Sequence, residues 1–432
     1  MRSVNLPHLV AHSPYCSFRY TINRPIRGFP LSQDLLHHKL NISYTRPFAY
    51  VNLHTLHKHQ HKLHKPRRSL NLDRGALQAL VVGQSNSYPT MATQDVPKTC
   101  KVILADTIAR GLLTEVKDTL KSIQKDNEGQ PTLVAFLANG DPAAVKYAEW
   151  SKKTCEENGF TFDLRQVDKD KLEEEIMNAN EDNKVDGIIV YYPIFPGNPA
   201  HDRYVQETVS LSKDVEGLCH KHIHNMYYNV RFLDPPQNLK KSILPCTPLA
   251  VVKILEYLQI YNSILPYGNR LFGRTITVIN RSEVNGRPLA ALLANDGATV
   301  YSVDITGVQL FTRGQGIKQP RHQVQDKEGW TLEQCIPISD VIIGGVPTEK
   351  FKVPTELIRD GTVCINFSSF RNFDGPAIKE KASIYVPSVG KVTIAVLLRN
   401  LVRLIANRPS TNKDGSTDES TQKAKSEAFV DG

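Results

Sequence analysis

The segment VINRSEVNGRPLAALLANDGATVYSVD (278–304) decides the fold of this protein. An apolar run ends at Asn280, a turn follows, a helix-like segment starts near Val284, and a second apolar run ends at Asp304. This order of strand, turn, helix and strand is typical of a nucleotide-binding unit, although the turn lacks the usual G-x-G-x-x-G. The carboxyl end of such a strand, together with the start of the helix behind it, favours a phosphate group.

The side chains of this turn indicate what it binds. Arg281 can supply charge-assisted hydrogen bonds to phosphate oxygens, and Ser282 can supply a hydroxyl donor. Asp304 lies 24 residues after Asn280, which is close to the distance expected for the acid that binds a cofactor ribose. A carboxylate there repels a 2′-phosphate and therefore favours NAD over NADP. The alternatives are an ordinary loop with a solvated arginine and an acid that only caps a turn.

Apolar runs and helical segments alternate in both directions from this segment. Strands are predicted at TLVAFLA (132–138), FTFDLRQV (160–167), VDGIIVYYP (185–193), DVIIGGV (340–346) and TVCINFS (362–368). Repeated β-α-β order predicts an α/β fold with parallel sheets flanked by helices. We predict two domains, an N-terminal α/β substrate domain (91–246, completed by a helix at 392–408) and a Rossmann-like doubly wound domain (247–391).

Two tails differ from this body in composition. Residues 1–90 hold twelve Lys and Arg, two acids and nine of the fourteen His, so the net charge of +9 describes this extension and the rest of the 432-residue chain is about neutral. We predict that residues 1–90 and 409–432 are disordered. The extension also fits a mitochondrial transit peptide or a segment that precedes a start at Met91. Its His-rich tract (54–65) contains no acid or cysteine that would define a metal site, so we expect no metal.

Cysteine usage and hydropathy bear on the class of protein. The seven cysteines show no C-x-x-C and no paired spacing, which indicates reduced thiols in an intracellular protein. No uninterrupted apolar stretch reaches ~18 residues, so we expect no membrane span. The neutral body argues against a nucleic-acid partner. The alternative from another class is a non-catalytic protein that binds nucleic acid through residues 1–90.

Six ordered blocks resemble the methylenetetrahydrofolate dehydrogenase/cyclohydrolase family, and within it the monofunctional NAD-dependent enzymes of fungi. The blocks are LANGDPAAVKYAEWSKK (137–153), DGIIVYYPIF (186–195), SKDVEGL (212–218), ILPCTPLA (243–250), VINRSEVNGRPLAALLANDGATVYSVD (278–304) and VPSVGKVTIAVLLRN (386–400). The resemblance covers the body and neither tail. It implies a folate cleft between two domains, a homodimer, and oxidation of 5,10-methylenetetrahydrofolate to 5,10-methenyltetrahydrofolate by NAD in one-carbon and purine metabolism.

The resemblance also assigns expected roles to single residues. Tyr147 would stack or hydrogen-bond along the pterin, and Glu216 would accept hydrogen bonds from its polar edge. Tyr147, Ser151 and Cys246 are the candidate catalytic residues, although Cys246 can equally be a buried structural thiol. The remaining candidates lie around the same cleft. For the substrate they are Tyr191, Pro387, Val389 and Gly390, and for the cofactor they are Arg281, Ser282, Asp304, Ile305, Phe367, Ser368 and Ser369.

Two departures from the family pattern refine the expected activity. Bifunctional members carry a lysine four residues after the tyrosine and a glutamine at the end of the strand predicted at 185–193, where this chain has Ser151 and Tyr191. The lysine serves the cyclohydrolase reaction in the family, so its loss predicts a dehydrogenase alone. A bifunctional enzyme remains the alternative if Lys152 or Lys153 reaches the site. The second departure, Asp304-Ile305 in place of a neutral or basic pair, again implies NAD. Monofunctional relatives serve the cytosolic pool, so we expect a cytoplasmic protein with a nuclear pool as an extension of that expectation, and mitochondrial import through residues 1–90 as the alternative.

Overall fold

The computed structural model describes residues 100–124 and 129–408, which belong to one compact unit. The tails predicted to be disordered, the His-rich tract and Cys16 lie outside the described residues. Among the helices of the described part, none is both long enough and apolar enough to cross a membrane. The expected α/β architecture is confirmed, with parallel strands that alternate with helices along the chain.

The smaller of two sheets comes from the first half of the described chain. Its three parallel strands, in the order β3-β2-β4, are β2 (Thr132–Leu137), β3 (Thr161–Gln166) and β4 (Gly187–Val190). The helices of this half are α1 (Ala105–Gln124), α2 (Pro142–Glu157), α3 (Leu172–Glu181), α4 (Pro199–Thr208) and α5 (His220–Tyr227). Helix α2 begins where the sequence dictates, because the Asp141 side chain accepts a hydrogen bond from the Ala143 amide and Pro142 occupies the first turn.

The larger sheet has eight strands in the order β1-β11-β10-β9-β5-β6-β7-β8. These strands are β1 (Lys101–Val102), β5 (Thr275–Ile279), β6 (Thr299–Asp304), β7 (Gly307–Thr312), β8 (Gln323–Asp326), β9 (Val341–Gly344), β10 (Val363–Asn366) and β11 (Ile384–Val386). The helices of this half are α6 (Cys246–Tyr257), α7 (Gly286–Asn295), α8 (Leu332–Cys335), α9 (Gly375–Lys381) and α10 (Gly390–Ala406). Strands β5, β6, β9, β10 and β11 are parallel, so their carboxyl ends meet along one edge.

Strands β7 and β8 were not anticipated from the sequence. They extend the parallel sheet as antiparallel strands, and only Ile305 and Thr306 separate β6 from β7. Antiparallel strands can be joined by so short a turn, whereas parallel strands need a crossover. Strand β7 also alternates poorly between buried and exposed positions, so the sequence gives little signal for it.

Helix α10 connects the two halves through its packing. It is buried along almost its whole length and contacts α1, α2 and α6. A helix that is buried on all sides is typical of a core position. The side chain of Asn400, on the same helix, is fully buried and donates to the carbonyls of Val215 and Leu244. These two bonds fix α10 against the loops that carry the expected folate residues.

Candidate active site

The expected folate residues come together between α2, the end of β4 and the start of α6. The rings of Tyr147 and Tyr191 meet edge to face with centroids 6.0 Å apart. A side chain at Gly390 would begin 4.0 Å from the Tyr147 ring, so the first residue of α10 leaves room for that ring. Burial raises the pKa of the Tyr147 hydroxyl well above its usual range, with further contributions from Cys246, Tyr191 and Glu216. Four predicted residues therefore surround the Tyr147 ring.

Glu216 presents a carboxyl group to this cluster. One of its oxygens accepts a hydrogen bond from the Val190 amide at 3.1 Å, and the Glu216 carbonyl accepts from the Cys246 amide at the start of α6. Burial raises the pKa of the carboxyl to about 8, while the Val190 hydrogen bond partly opposes that rise. A second carboxyl oxygen is left for a ligand that donates hydrogen bonds, such as an amide or amidine edge.

The residues around Glu216 in the block SKDVEGL (212–218) hold the loop that carries it. Asp214 is buried and its carboxylate accepts from the amides of Glu216, Gly217 and Cys219, which fixes the loop. Lys213 donates to three carbonyls at the end of α3. Gly217 has φ of +71°, and a Cβ there would lie 2.7 Å from the Leu244 backbone. These residues support the site without facing it, and the sequence reasoning did not assign them.

Ser151 lies behind the tyrosine pair. It is fully buried, and its hydroxyl donates to the Tyr147 carbonyl at 2.9 Å within α2. It also lies beside the buried Tyr191 hydroxyl, whose pKa is raised by burial and lowered in part by Ser151. The Tyr191 hydroxyl makes no hydrogen bond of ordinary length and angle with any described residue. The geometry therefore makes Ser151 a residue that packs under Tyr191, and its role in the reaction stays a prediction.

The two lysines that follow Ser151 point away from the cluster. Lys152 pairs with Glu156 and Lys153 pairs with Glu157, each at 3.9 Å, and all four side chains are exposed on the outer face of α2. A helix rotates by about 100° per residue. The face that carries Tyr147 and Ser151 therefore excludes both lysines.

Cys246 is the first residue of α6 and is 8% exposed. Burial raises the pKa of its thiol well above the usual range, and the nearby acids Glu216 and Asp214 add to the rise. A thiol with this pKa stays protonated and is a poor nucleophile. The structure thus places Cys246 beside Tyr147 as an apolar contact. The six cysteines among the described residues are all free thiols.

The nucleotide turn follows β5, and Asn280 gives it its shape. Asn280 has φ of +101°, a conformation that glycine usually supplies and asparagine tolerates better than most residues. Its side chain accepts from the Ser282 amide and donates to the Gly345 carbonyl after β9. The sequence predicts roles in this turn for Arg281 and Ser282 as donors to phosphate, whereas the backbone role that glycine usually has belongs to Asn280. The signal available in the sequence was an asparagine at the start of a turn that lacks glycine, because asparagine adopts positive φ more readily than most residues.

Gly286 allows the start of α7 to approach this turn. A Cβ at Gly286 would lie 1.8 Å from the Asn280 carbonyl oxygen, so no other residue fits without a backbone shift. The helix begins at this glycine, two residues later than the predicted start at Val284. The Ser282 hydroxyl accepts from the amides of Asn285 and Gly286. Those helix amides are thus occupied, and the hydroxyl proton of Ser282 remains available to a phosphate oxygen.

Arg281 and Asp304 are joined through the backbone amide of Arg281 and not through its guanidinium group. The Asp304 carboxylate accepts from the backbone amides of Arg281 at 2.6 Å and Ile305 at 2.7 Å. The Arg281 guanidinium donates to the carbonyls of Ser302 and Gly307 and to the Thr306 hydroxyl. The arginine therefore braces the turn between β6 and β7 in this structure. Its proposed contact with the pyrophosphate would require these bonds to be exchanged.

The remaining cofactor candidates lie beside Asp304 and after β10, and the remaining substrate candidates lie after β11. Ile305 is fully exposed beside Asp304, where an apolar side chain suits the face of an adenine ring. Phe367 follows β10, and its ring lies directly over Gly345, where a Cβ would come within 1.8 Å of the ring. Ser368 donates to the Val346 carbonyl, and Ser369 is exposed.

On the folate side Val389 is buried, and the Pro387 carbonyl accepts from Asn366. No group of three or more potential metal ligands occurs among residues 100–124 and 129–408.

Known proteins with the same pattern identify the relatives of this chain. Residues 103–216 match the model for the tetrahydrofolate dehydrogenase/cyclohydrolase catalytic domain. The chain is 58% identical over 313 residues, which is 72% of this chain and 95% of the relative, to methylenetetrahydrofolate dehydrogenase [NAD(+)] of Schizosaccharomyces pombe. It is similar to the solved NAD-dependent 5,10-methylenetetrahydrofolate dehydrogenase of Saccharomyces cerevisiae, with a TM-score of 0.68, 55% identity and coverage of 72% of this chain and 98% of that one. The bifunctional protein FolD of Campylobacter curvus is 29% identical to this chain, and the match covers 68% of this chain and 92% of the FolD chain.

Proposed function

Because the chain belongs to the tetrahydrofolate dehydrogenase/cyclohydrolase family, we propose that it oxidises 5,10-methylenetetrahydrofolate to 5,10-methenyltetrahydrofolate with NAD as hydride acceptor. The predicted family and fold class are confirmed. The observation that carries the specific activity is the arrangement on α2, where Tyr147 faces the site and both nearby lysines are paired on the outside. The relatives named as NAD-dependent dehydrogenases are far more similar to this chain than the bifunctional ones are.

The folate is held by groups that orient its reacting carbon. The Glu216 carboxylate would accept hydrogen bonds from the adjacent N–H donors of the pterin, and the Tyr147 ring would pack along the pterin. Tyr191, Val389 and Gly390 would close the cleft around it. The methylene carbon that loses the hydride lies between two nitrogens, which stabilise the cation that forms. The transfer thus requires no general base, and the work of the protein is alignment in a dry cleft.

The residues at the ends of β5 and β6 fit NAD. The cofactor, when bound, supplies the atom that accepts the hydride. The Asp304 carboxylate would accept from the ribose hydroxyls, Ile305 would contact the adenine, and the Ser282 hydroxyl would donate to a phosphate oxygen. Phe367, Ser368 and Ser369 would contact the nicotinamide half of the cofactor. Asp304 disfavours a 2′-phosphate because of charge repulsion.

The absence of a cyclohydrolase activity has a direct test. We expect methenyltetrahydrofolate to accumulate after NAD is added and to decay only at the rate of the buffer, because Lys152 and Lys153 are paired on the face of α2 that points away from Tyr147. Absorbance at the methenyl band measures both phases. The double variant Lys152→Met, Lys153→Met should leave the oxidation rate and the decay unchanged. Decay that depends on the enzyme and disappears in the double variant would establish the bifunctional alternative.

A homodimer is proposed for this enzyme. Strand β8 ends the larger sheet, all four of its residues are exposed, and Val324 presents an apolar side chain there. An unpaired strand edge is a ready template for pairing with a second chain. Sedimentation should give twice the monomer mass, and Val324→Lys should weaken the association. A monomer at micromolar concentration would refute the homodimer, and the assigned activity would not be affected by that result.

The division into domains and the cellular location are further proposals. The substrate domain (91–246 with 392–408) and the NAD-binding domain (247–391) correspond broadly to the two sheets, although β1 joins the larger one. We propose a cytoplasmic protein, with mitochondrial import as the alternative. The mature N-terminus of the native protein separates them. A start at or just after Met91 supports the cytoplasm, and cleavage further upstream supports import.

A further inference from the structure

Asn366 is the last residue of β10 and is 1% exposed, so its side-chain amide has to find its partners inside the protein. Its Nδ2 donates to three carbonyl oxygens, those of Ser368 at 3.0 Å, Phe370 at 3.1 Å and Pro387 at 3.3 Å. Two N–H groups are thus shared among three acceptors. The reaction proposed above gives this side chain no role.

The orientation of the Asn366 amide is fixed from its other side. Its Oδ1 accepts from the Asn372 backbone amide at 3.0 Å. Asn372 is fully buried, and its own side chain accepts from the Val346 amide at 2.8 Å and donates to the Val346 carbonyl at 3.0 Å. A reversed Asn366 side chain would set its oxygen against three carbonyls and its Nδ2 against an N–H group. Only one orientation therefore satisfies the buried groups.

The two asparagines join the loops that follow three neighbouring parallel strands, β9, β10 and β11. Val346 follows β9, Ser368 follows β10 and Pro387 follows β11. The bond from Asn366 to Pro387 crosses from the loop after β10 to the loop after β11. Ligands of such folds bind at this edge of the sheet, where the carboxyl ends of the strands meet.

The loops on the two sides of Asn366 are expected to contact different ligands. Ser368 is expected at the nicotinamide half of the cofactor, and Pro387 is expected at the folate. Three residues after Pro387, Gly390 begins α10, and a Cβ at that glycine would lie 4.0 Å from the Tyr147 ring. A single buried side chain therefore connects the cofactor side of the site to the folate side.

Hydride transfer is sensitive to the spacing of these two sides. The C–H bond of the folate methylene carbon breaks, and its electron pair moves with the hydride to the nicotinamide, so the folate is oxidised and NAD is reduced. The reacting atoms need to lie about 3–3.5 Å apart, and a misplacement of about 1 Å can cost roughly 100-fold in rate. A side chain with buried hydrogen bonds at both ends resists such a displacement, since an unpaired buried carbonyl is costly.

We propose that Asn366 is a positioning residue, which sets the separation of the nicotinamide and the folate carbon by holding the loop after β10 against the loop after β11. Because it is buried, it acts through the carbonyls of Ser368 and Pro387. This inference rests on the proposed dehydrogenase function. Asn366→Asp tests it, because this substitution keeps the size of the side chain and the acceptor for Asn372, and it puts an oxygen in place of the donor that faces three carbonyls.

The measurements on Asn366→Asp separate the distance of transfer from the binding of each ligand. We expect the single-turnover rate at saturating NAD to fall roughly 10- to 100-fold, and the isotope effect with folate deuterated at the methylene carbon to become larger. The dissociation constants of NAD and of tetrahydrofolate, each measured alone by calorimetry, should change by less than about threefold, because the groups that contact each ligand remain. Tetrahydrofolate lacks the bridging carbon and therefore binds without reacting.

Asn295→Asp is the matched control. Asn295 is the last residue of α7, is 1% exposed and donates to the Met226 carbonyl at 3.1 Å, so both substitutions remove a buried amide donor. Both should lower Tm by a few degrees, but Asn295→Asp should keep the wild-type rate and isotope effect per folded molecule. Asn366→Ser, whose hydroxyl can donate to one carbonyl, replaces Asn366→Asp if the latter does not fold. It should show a smaller fall in rate and again a larger isotope effect.

Two results would overturn the proposal. One is a rate and an isotope effect per folded molecule that equal those of the wild type in the Asn366 variant that folds. The other is a loss of affinity for either ligand by the same factor as the loss of rate, since Asn366 would then only maintain a binding surface. Both results leave the proposed function standing. A wild-type protein that transfers no hydride from methylenetetrahydrofolate to NAD would refute that function and this role with it, so the two failures are distinguishable.

Discussion

Replacing Asp304 with serine is expected to raise the ratio of kcat/KM for NADP to that for NAD about 100-fold. A unit charge pair at ~4 Å near a protein surface interacts by about 4 kcal/mol. Partial screening by solvent leaves roughly 2.7 kcal/mol, which corresponds to two factors of ten. The Asp304 carboxylate is held in place by the amides of Arg281 and Ile305, so its charge is fixed at the end of β6. Steady-state kinetics with both cofactors gives the ratio.

One further variant separates charge from shape at this position, and a second variant, on β8, is the control. Asp304→Asn keeps the size of the side chain and removes its charge, so it should capture most of the gain if repulsion is the cause. Asp326→Asn on β8 removes an acid that accepts from Gln309 and lies two strands away in the sheet. It should leave the ratio unchanged. A serine variant whose use of NADP is no better than that of the wild type would refute the assignment of the ribose site.

Replacing Glu216 with glutamine is expected to lower kcat/KM for the folate by roughly 100- to 1,000-fold, because charge-assisted hydrogen bonds to a buried partner contribute a few kcal/mol. The wild-type value should rise with pH through about 8, since only the ionised carboxyl accepts both pterin donors and burial raises its pKa to about 8. The variant should lose this pH dependence. Initial rates at saturating NAD across this pH range measure both effects.

The same substitution should have the opposite effect on stability. The folded-state pKa of Glu216 lies above its ordinary value of 4.5. Its contribution to the free energy of unfolding is therefore fully present below that value and is lost as pH rises through about 8. Glu216→Gln removes this loss and should raise the Tm of the ligand-free protein above pH 8. Glu174→Gln, at an exposed position on α3, is the control for both measurements. A lower Tm at high pH would show that Glu216 is ionised and well solvated in the folded protein.

Part of the site could be predicted from the sequence, because the spacing of residues along a strand or helix decides where each side chain lies. The β-α-β order around 278–304 predicts the parallel strands, and Asp304 follows from its spacing. The outward direction of Lys152 and Lys153 follows from helix geometry and from Ser151 four residues after Tyr147. The family resemblance added the folate residues, which no local pattern would have joined.

Other features depended on contacts between distant segments. The Arg281 guanidinium binds the turn after β6 because that strand folds back into β7, and nothing in the local sequence specified β7. The positive φ of Asn280 is maintained by its bond to Gly345, 65 residues away. The buried position of Ser151 is set by the packing of Tyr147 and Tyr191.

The sequence by itself determined the fold class, the family and the choice of NAD, because hydrophobic periodicity, ordered motifs and a single acid at the end of a strand are local properties. Only the tertiary structure decided the raised pKa of the Glu216 carboxyl and the raised pKa of the Cys246 thiol. Burial and the sum of nearby charges set these properties. Both depend on segments that are far apart in the chain and are brought together by folding.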